Sequence, residues 1–217
     1  MNNNHLKHKT YLGIIFCLIS SLSFATVSGP ETIEVLGSDI KDHKIYYLRH
    51  YHDESGRLPT LYYYLLNSRN PHKAIKVQSI YTPLNSRNHI TEIQHTLRKI
   101  QSIQARLVKP TPLSPKTAKL KFNRQRKQTG NFWLNVPEIK VSKFQSQVQL
   151  SQSSDPSKYK SQQFENIRYH RNLPQIKKLY AFPYTFPNYR VAVISYMGIP
   201  TETGYEKQDA ILLSSTK

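Results

Sequence analysis

The residues best suited to bind a metal ion in this 217-residue chain lie in one short run, His50-Tyr51-His52-Asp53-Glu54. If the run begins on a β-strand, His50 and His52 point to the same side, because side chains alternate between the two faces of a strand. Two imidazoles followed by two carboxylates form a ligand set for zinc or copper, in a metal-dependent enzyme or a metal carrier. A solvated strand end that leads into a polar loop has the same composition. We favour that explanation and expect no cofactor.

Catalytic signatures are missing from the rest of the sequence. It contains no Gly-x-Ser-x-Gly and no His-Glu-x-x-His motif, and its seven glycines do not form a phosphate-binding loop. The single cysteine, Cys17, lies in an N-terminal segment that we expect to be removed. The mature chain would then have no thiol nucleophile, no disulfide and no cysteine-bound metal. We therefore expect a protein that is not an enzyme.

Cations are concentrated in the middle of the chain. Six of the twelve residues from Lys116 to Lys127 are basic, and ten Lys or Arg residues lie between Glu92 and Glu138 without an acid. Such residues contact phosphates or sulfates, and aromatic side chains beside them stack on bases or sugar rings. If the segment is a strand, Lys119 and Lys121 share one of its faces. A solvated loop could have the same composition. The candidate polyanion-binding residues are Arg98, Lys99, Lys116, Lys119, Lys121, Arg124, Arg126, Lys127 and Trp133.

The N-terminal segment, residues 1–25, has the three parts of a secretory signal peptide. Two lysines precede an apolar run from Tyr11 to Ala25, and small residues, Ser23 and Ala25, occupy positions −3 and −1 of a cut before Thr26. The run is shorter than the ~20 apolar residues that cross a bilayer, which argues against an uncleaved membrane anchor. We therefore expect export, to the periplasm of a bacterial envelope or to the medium.

The predicted mature chain is strongly basic. The whole sequence has a formal net charge of +18, and loss of residues 1–25 removes two lysines and no acid, which leaves a net charge of +16. Outside the cytoplasm such a charge attracts lipopolysaccharide, other anionic glycans, phospholipid head groups and DNA. The charge could also serve solubility alone. We expect the partner to be an anionic envelope polymer or nucleic acid. The alternative is a structural or assembly role with another envelope protein.

Most of the remaining sequence predicts antiparallel β-strands. Runs rich in Ile, Tyr, Leu and Val alternate with clusters of turn-forming residues, the pattern of a β-meander. The predicted strands are Glu31–Leu36, Lys44–Tyr51, Thr60–Leu66, Ala74–Tyr81, Asn131–Val136, Glu138–Leu150, Ile176–Phe182, Tyr189–Tyr196 and Gln208–Leu213. A basic, Pro-rich connection is expected near residues 110–130 and a polar loop over 151–163.

One long helix is predicted over residues 88–108. Apolar residues recur there at spacings of three and four, which places them on one face of a helix. Asn88 suits the N-cap and Pro110 ends the helix. We expect this amphipathic helix to bury Ile93, Leu97 and Ile100 against the sheet, with docking on a partner as the alternative.

The predicted fold class is α+β: a single domain over residues 26–217, with antiparallel hairpins and one helix packed on the sheet. Part of a β-propeller is the alternative. A weak match between Glu54-Ser55-Gly56 and Glu202-Thr203-Gly204 leaves open a duplication of the hairpins at the two ends.

Overall fold

The computed structural model of the chain describes residues 29–53, 56–81, 89–130, 139–150, 159–169, 173–197 and 205–215. The predicted signal peptide, the strand predicted at Asn131–Val136, and most of the turns in the predicted duplication lie outside these residues. The described strands are all paired in antiparallel fashion, in two sheets accompanied by one helix. The structure is thus consistent with the predicted α+β class, although sheet dominates it.

The first sheet has four strands in sequence order and is the predicted meander. Its strands are β1 (Glu31–Asp39), β2 (Lys44–Tyr51), β3 (Thr60–Leu65) and β4 (Ala74–Lys76). β4 is shorter than the predicted run to Tyr81, because the chain turns at Gln78, whose carbonyl accepts a hydrogen bond from the Tyr81 N–H at 3.1 Å. The Tyr81 hydroxyl then bonds the Leu61 N–H at 2.7 Å and holds the turn against β3.

The second sheet has eight strands and curls on itself. Its strands are β5 (Thr111–Leu113), β6 (Ala118–Gly130), β7 (Ile139–Leu150), β8 (Tyr159–Ser161), β9 (Phe164–Tyr169), β10 (Gln175–Ala181), β11 (Tyr189–Met197) and β12 (Glu206–Ser215). The order is β5-β10-β11-β12-β8-β7-β6, and β9 also pairs with β7. A single 3-10 turn, Pro115–Thr117, leads into β6.

Two predicted connecting segments contain strands. The Pro-rich connection contributes β5, which pairs with β10, and the basic segment after it forms β6. The predicted polar loop contains β8, where Tyr159 and Ser161 are buried. The Ser161 hydroxyl accepts a hydrogen bond from the Val148 N–H at 3.0 Å, so pairing with a distant strand forms an element that local composition does not indicate.

The two sheets pack face to face, and each sheet has apolar side chains on both of its surfaces. On β2, Ile45 and Tyr47 face the second sheet, whereas Tyr46 and Leu48 face the helix. On the central strand β11, Val191 and Val193 likewise face the first sheet. Ala192 and Ile194, which alternate with them, pack inside the curl of the second sheet. Strands buried on both faces are continuously apolar rather than alternating, which explains the composition of these runs.

The helix α1 (His89–Ala105) lies on the outer face of the first sheet. Ile100 is 4% exposed and packs with Tyr46 and Leu48, which confirms one predicted contact, and Ile93 is half-buried. The prediction for Leu97 was wrong, since it is 37% exposed. Thr96 is buried instead, and its hydroxyl donates to the Ile80 carbonyl at 3.2 Å, so in this turn of the helix the buried position is Thr96 and not Leu97.

The helix ends three residues before the predicted Val108, because that residue pairs with β1. Ser38 and Val108 exchange two backbone hydrogen bonds, of 3.0 and 2.9 Å. The neighbouring Gly37 has φ +147°, and a Cβ on it would lie 2.5 Å from the Val108 carbonyl oxygen. Glycine therefore permits this close approach of two backbones. α1, the helix that the structure describes, is not long and apolar enough to cross a membrane.

Candidate functional site

His50 and His52 lie side by side, and each is paired with a residue of β1. Their ring centroids are 6.4 Å apart, the Nε2 atom of His50 is 2.9 Å from a carboxylate oxygen of Glu34, and Nε2 of His52 is 2.8 Å from the Thr32 hydroxyl. Asp53 contacts Arg57, and Glu54 lies outside the described residues. Within the described ranges, no three His, Cys, Asp or Glu side chains are grouped closely enough to hold a metal.

Lys119 and Lys121 share one face of β6, as the strand interpretation of the basic segment predicts. Both side chains are exposed, whereas Ala118 and Leu120 alternate with them and pack partly on the core. No acid among the described residues forms an ion pair with either lysine. Two exposed cations, two residues apart on an outer strand, thus have no acidic partner in the part of the chain that the structure describes.

The remaining basic positions of the segment continue along the same strand. Arg124, Arg126 and Lys127 lie on β6 beyond a bulge between Phe122 and Arg124, and β6 is the last strand of its sheet. Its partner β7 adds two more basic positions, and the two strands together hold seven Lys or Arg residues and no acid. The register places Arg126 directly opposite Lys143 of β7. Like charges at directly opposite positions of an antiparallel pair are destabilising.

The other predicted candidates are divided between two elements. Lys116 is exposed in the 3-10 turn immediately before β6, so it extends the basic strand. Arg98 and Lys99 lie on α1, which packs on the first sheet rather than the second. Trp133 lies outside the described residues. The structure therefore assembles the basic strand and turn, and places the helix cations in a different layer.

A cleft of about 430 Å³ opens between α1 and the outer face of the first sheet, and sequence reasoning missed it. Its base includes Tyr46 and Tyr63, whose ring centroids are 5.7 Å apart. The residues that line it are Asp42, Lys44, Tyr46, Tyr63, Lys76, Val77, Gln78, Ser79, Ile80, Ile103 and Arg106. They come from the β1–β2 turn, from β2 and β3, from the end of β4 with the segment after it, and from the end of α1 with the residue after it. No single stretch of sequence therefore indicates the cleft.

Charged residues in the cleft are partly paired with one another. Lys44 Nζ lies 3.2 Å from Asp42 and 4.9 Å from the centre of the Tyr63 ring. Burial alone would lower the pKa of Lys44, but the hydrogen bond to Asp42 and the electrostatic attraction of neighbouring groups together raise the pKa above its ordinary value. Arg106 is 3.1 Å from Asp39 and 3.6 Å from Asp42. Lys44 is thus a cation at neutral pH.

A second charged cluster joins the two sheets. Arg49 of β2 pairs with Glu31 of β1 and Asp209 of β12, and Asp209 also accepts a hydrogen bond from the Tyr196 hydroxyl at 2.8 Å. Burial raises the pKa of Tyr196, and the adjacent Asp209 carboxylate raises it further. Burial would raise the pKa of Glu31, but hydrogen bonds from Lys207 and Arg49 lower it overall. Because these charges satisfy one another, the cluster serves to join the sheets.

Comparison with family models, curated proteins and solved structures gives no match for this chain. Function is therefore inferred from its own residues and geometry.

Proposed function

We propose that this chain is an exported, non-catalytic envelope protein that binds an anionic polymer along the basic hairpin, defined as β6 and β7 with Lys116 before them. The polymer would be a glycan, lipopolysaccharide or DNA. The observation that carries the proposal is the pair Lys119 and Lys121, exposed on one face of β6, where β6 and β7 together hold seven cations and no acid.

Protection of a sheet edge is the simplest other explanation for basic residues on β6. Lysines on an edge strand prevent pairing with another chain. That need does not extend to β7, which pairs with β6 on one side and with β8 and β9 on the other. β7 nevertheless has Lys140 and Lys143 and no acid. Cations on an interior strand next to a basic edge strand favour a ligand of opposite charge.

Polyanion binding of this kind is governed by counterion release. Each cation that neutralises a phosphate or sulfate frees a condensed counterion, so affinity falls steeply as salt is raised. Binding to lipopolysaccharide, DNA and peptidoglycan should be measured across a salt series, for the wild type and for Lys121→Glu/Arg124→Glu/Arg126→Glu. We expect tight binding at low salt that the triple reversal abolishes. Binding that is absent at low salt, or unchanged in the triple variant, would contradict the proposal.

A role as an assembly partner of another envelope protein is the second candidate. It is favoured by apolar side chains on the outer face of α1, where Ile90 is 73% exposed and Leu97 is 37% exposed. Such an interface would depend on apolar burial and would respond less to ionic strength. A pull-down from the envelope fraction with wild type and Ile90→Asp would recover a partner protein with the wild type only.

The lack of catalysis and of a bound metal stays a prediction. Elemental analysis of untagged protein tests it, and one equivalent of zinc or copper that disappears in His50→Ala/His52→Ala would overturn it.

A further inference from the structure

We propose that the cleft beneath α1 binds one acidic sugar unit, a pyranose ring with a carboxylate or phosphate. This inference deepens the proposed function, since it names an anionic glycan as the polymer, and it concerns a site separate from the basic hairpin. A volume of about 430 Å³ lies in the range of clefts that hold small ligands, ~300–1,000 Å³.

The Tyr46 hydroxyl is the first reason to expect a ligand. Tyr46 is only 3% exposed and lines the cleft, and no described residue forms a hydrogen bond with its hydroxyl. The hydroxyl is not among the buried, unpartnered polar atoms of the described residues, so it reaches the solvent in the cleft. A ligand in the cleft would replace water as the hydrogen-bond partner of this hydroxyl.

Lys76 is the second reason. It lines the cleft at the end of β4, is exposed, and forms no ion pair with any described acid; its ammonium lies 5.9 Å from the centre of the Tyr81 ring. Lys44 and Arg106 already contact Asp42, whereas Lys76 is available to an anionic group. Three cations and one carboxylate line the cleft. Asp39, which is not part of the lining, pairs with Arg106, so one positive charge remains in excess.

The polar groups around the cleft favour a sugar over a nucleotide. Asp42 accepts hydrogen bonds, and Gln78 and Ser79 can both donate and accept them. A pyranose ring has several hydroxyls that can donate to Asp42, whereas the phosphodiester backbone of DNA has no donor and thymidine 5′-monophosphate has one sugar hydroxyl. Tyr63, which is half-buried at the base of the cleft, offers an aromatic surface for the apolar face of the ring.

Three monosaccharides that differ only in one substituent provide the test: glucuronic acid, glucose 6-phosphate and glucose. Titrations followed by NMR give dissociation constants even for weak binding. Thymidine 5′-monophosphate is titrated in the same way to compare a nucleotide with the sugars. We expect at least one acidic sugar to bind about tenfold more tightly than glucose and than the nucleotide. The better of the two acidic sugars identifies the polymer as carboxylated or phosphorylated.

Variants assign the binding to the cleft. Loss of one hydrogen bond to the ligand, in Tyr46→Phe, should weaken binding of the acidic sugar about fivefold, and Lys76→Gln should weaken it about tenfold. Lys73→Gln, an exposed lysine in the turn before β4, is the matched control and should bind like the wild type. Thermal melts confirm that each variant is folded.

Equal binding of glucose and the acidic sugars, tighter binding of the nucleotide, or equal effects of Lys73→Gln and Lys76→Gln would overturn the inference. The basic hairpin is tested separately, because Lys119→Glu/Lys121→Glu should leave monosaccharide binding unchanged. Failure of the cleft experiment together with salt-dependent polymer binding would refute the acidic-sugar site alone. Failure of polymer binding would refute the proposed function.

Discussion

Arg49 on β2 and Asp209 on β12 form an ion pair that joins the two sheets, with Nη2 and Oδ1 2.5 Å apart. Arg49 also lies 2.7 Å from Glu31, which accepts a hydrogen bond from Lys207 at 2.8 Å. β1 and β2 of the first sheet are thereby attached to β12 of the second. Removal of one member of such a cluster leaves its partners desolvated without a compensating charge.

Arg49→Met should therefore destabilise the protein substantially. We expect a loss of about 3 kcal/mol in the free energy of unfolding, the lower end for breaking a buried ion pair, because the side chain retains some solvent contact. Urea denaturation measures the loss, and Arg69→Met, an exposed arginine after β3, is the control. Equal stability of the two variants would show that the cluster contributes nothing to joining the sheets.

Truncations on α1 distinguish its buried face from its exposed face. Ile100→Ala should cost ~2–5 kcal/mol by opening a cavity against Tyr46 and Leu48. Leu97→Ala, at an exposed position, should change stability by less than about 0.5 kcal/mol. Thermal or urea unfolding compares the two variants, and a larger loss for Leu97→Ala would contradict the described orientation of the helix.

Gly37→Ala should disrupt the contact between β1 and the segment after α1. The new Cβ would lie 2.5 Å from the Val108 carbonyl oxygen at φ +147°, so both the backbone conformation and the contact become strained. We expect a loss of ~1–3 kcal/mol in unfolding free energy, with faster hydrogen exchange at the Ser38 and Val108 amides. Gly56→Ala is the control for φ alone, since a Cβ there has no neighbour within 4 Å although φ is +64°. Equal losses would show that the close approach is irrelevant.

His72 should make stability depend on pH. Its Nδ1–H donates to the Leu212 carbonyl at 3.0 Å, and burial lowers its pKa below the ordinary value of 6.5 despite that bond. The unfolded chain then binds a proton more readily than the folded protein, so stability is lost as pH falls below about 6.5.

The unfolding free energy of the wild type should fall more steeply between pH 7.5 and 5.5 than that of His72→Gln. His95→Gln, an exposed residue on α1, should follow the wild type. Parallel curves for wild type and His72→Gln would mean that His72 titrates alike in the folded and unfolded states.

Local patterns predicted the elements whose partners follow soon in the chain. β2 and β3 are Ile-, Tyr- and Leu-rich runs around one turn, and their observed limits, Lys44–Tyr51 and Thr60–Leu65, differ from the prediction by one residue at most. β8 could not be predicted, because this three-residue segment of a polar stretch becomes a strand only between β12 and β7. The spacing of apolar side chains located the helix. It did not show that Thr96 rather than Leu97 is buried, because that depends on the hydrogen bond from Thr96 to the Ile80 carbonyl.

The same distinction applies to the candidate sites. The sequence indicated that Lys119 and Lys121 would share a face, because alternation along one strand is a local property. Glu34 beside His50 depends on the register of β1 and β2, and the cleft combines Asp42, Lys76 and Arg106 from distant segments. Residues brought together by tertiary contacts have no signature in a single sequence.

Salt-dependent binding of dextran sulfate tests the central claim most directly, with Lys119→Glu/Lys121→Glu compared with Arg69→Glu/Lys73→Glu. Both variants change the net charge equally, but the control positions lie in the exposed turn between β3 and β4. For the wild type and the control we expect a steep linear fall of log affinity with log salt. For the β6 variant we expect affinity at least about tenfold lower and a smaller slope, because two cations that neutralise sulfates are lost. Equal affinity and slope in the two variants would contradict the account, since binding would then follow net charge and not the basic hairpin.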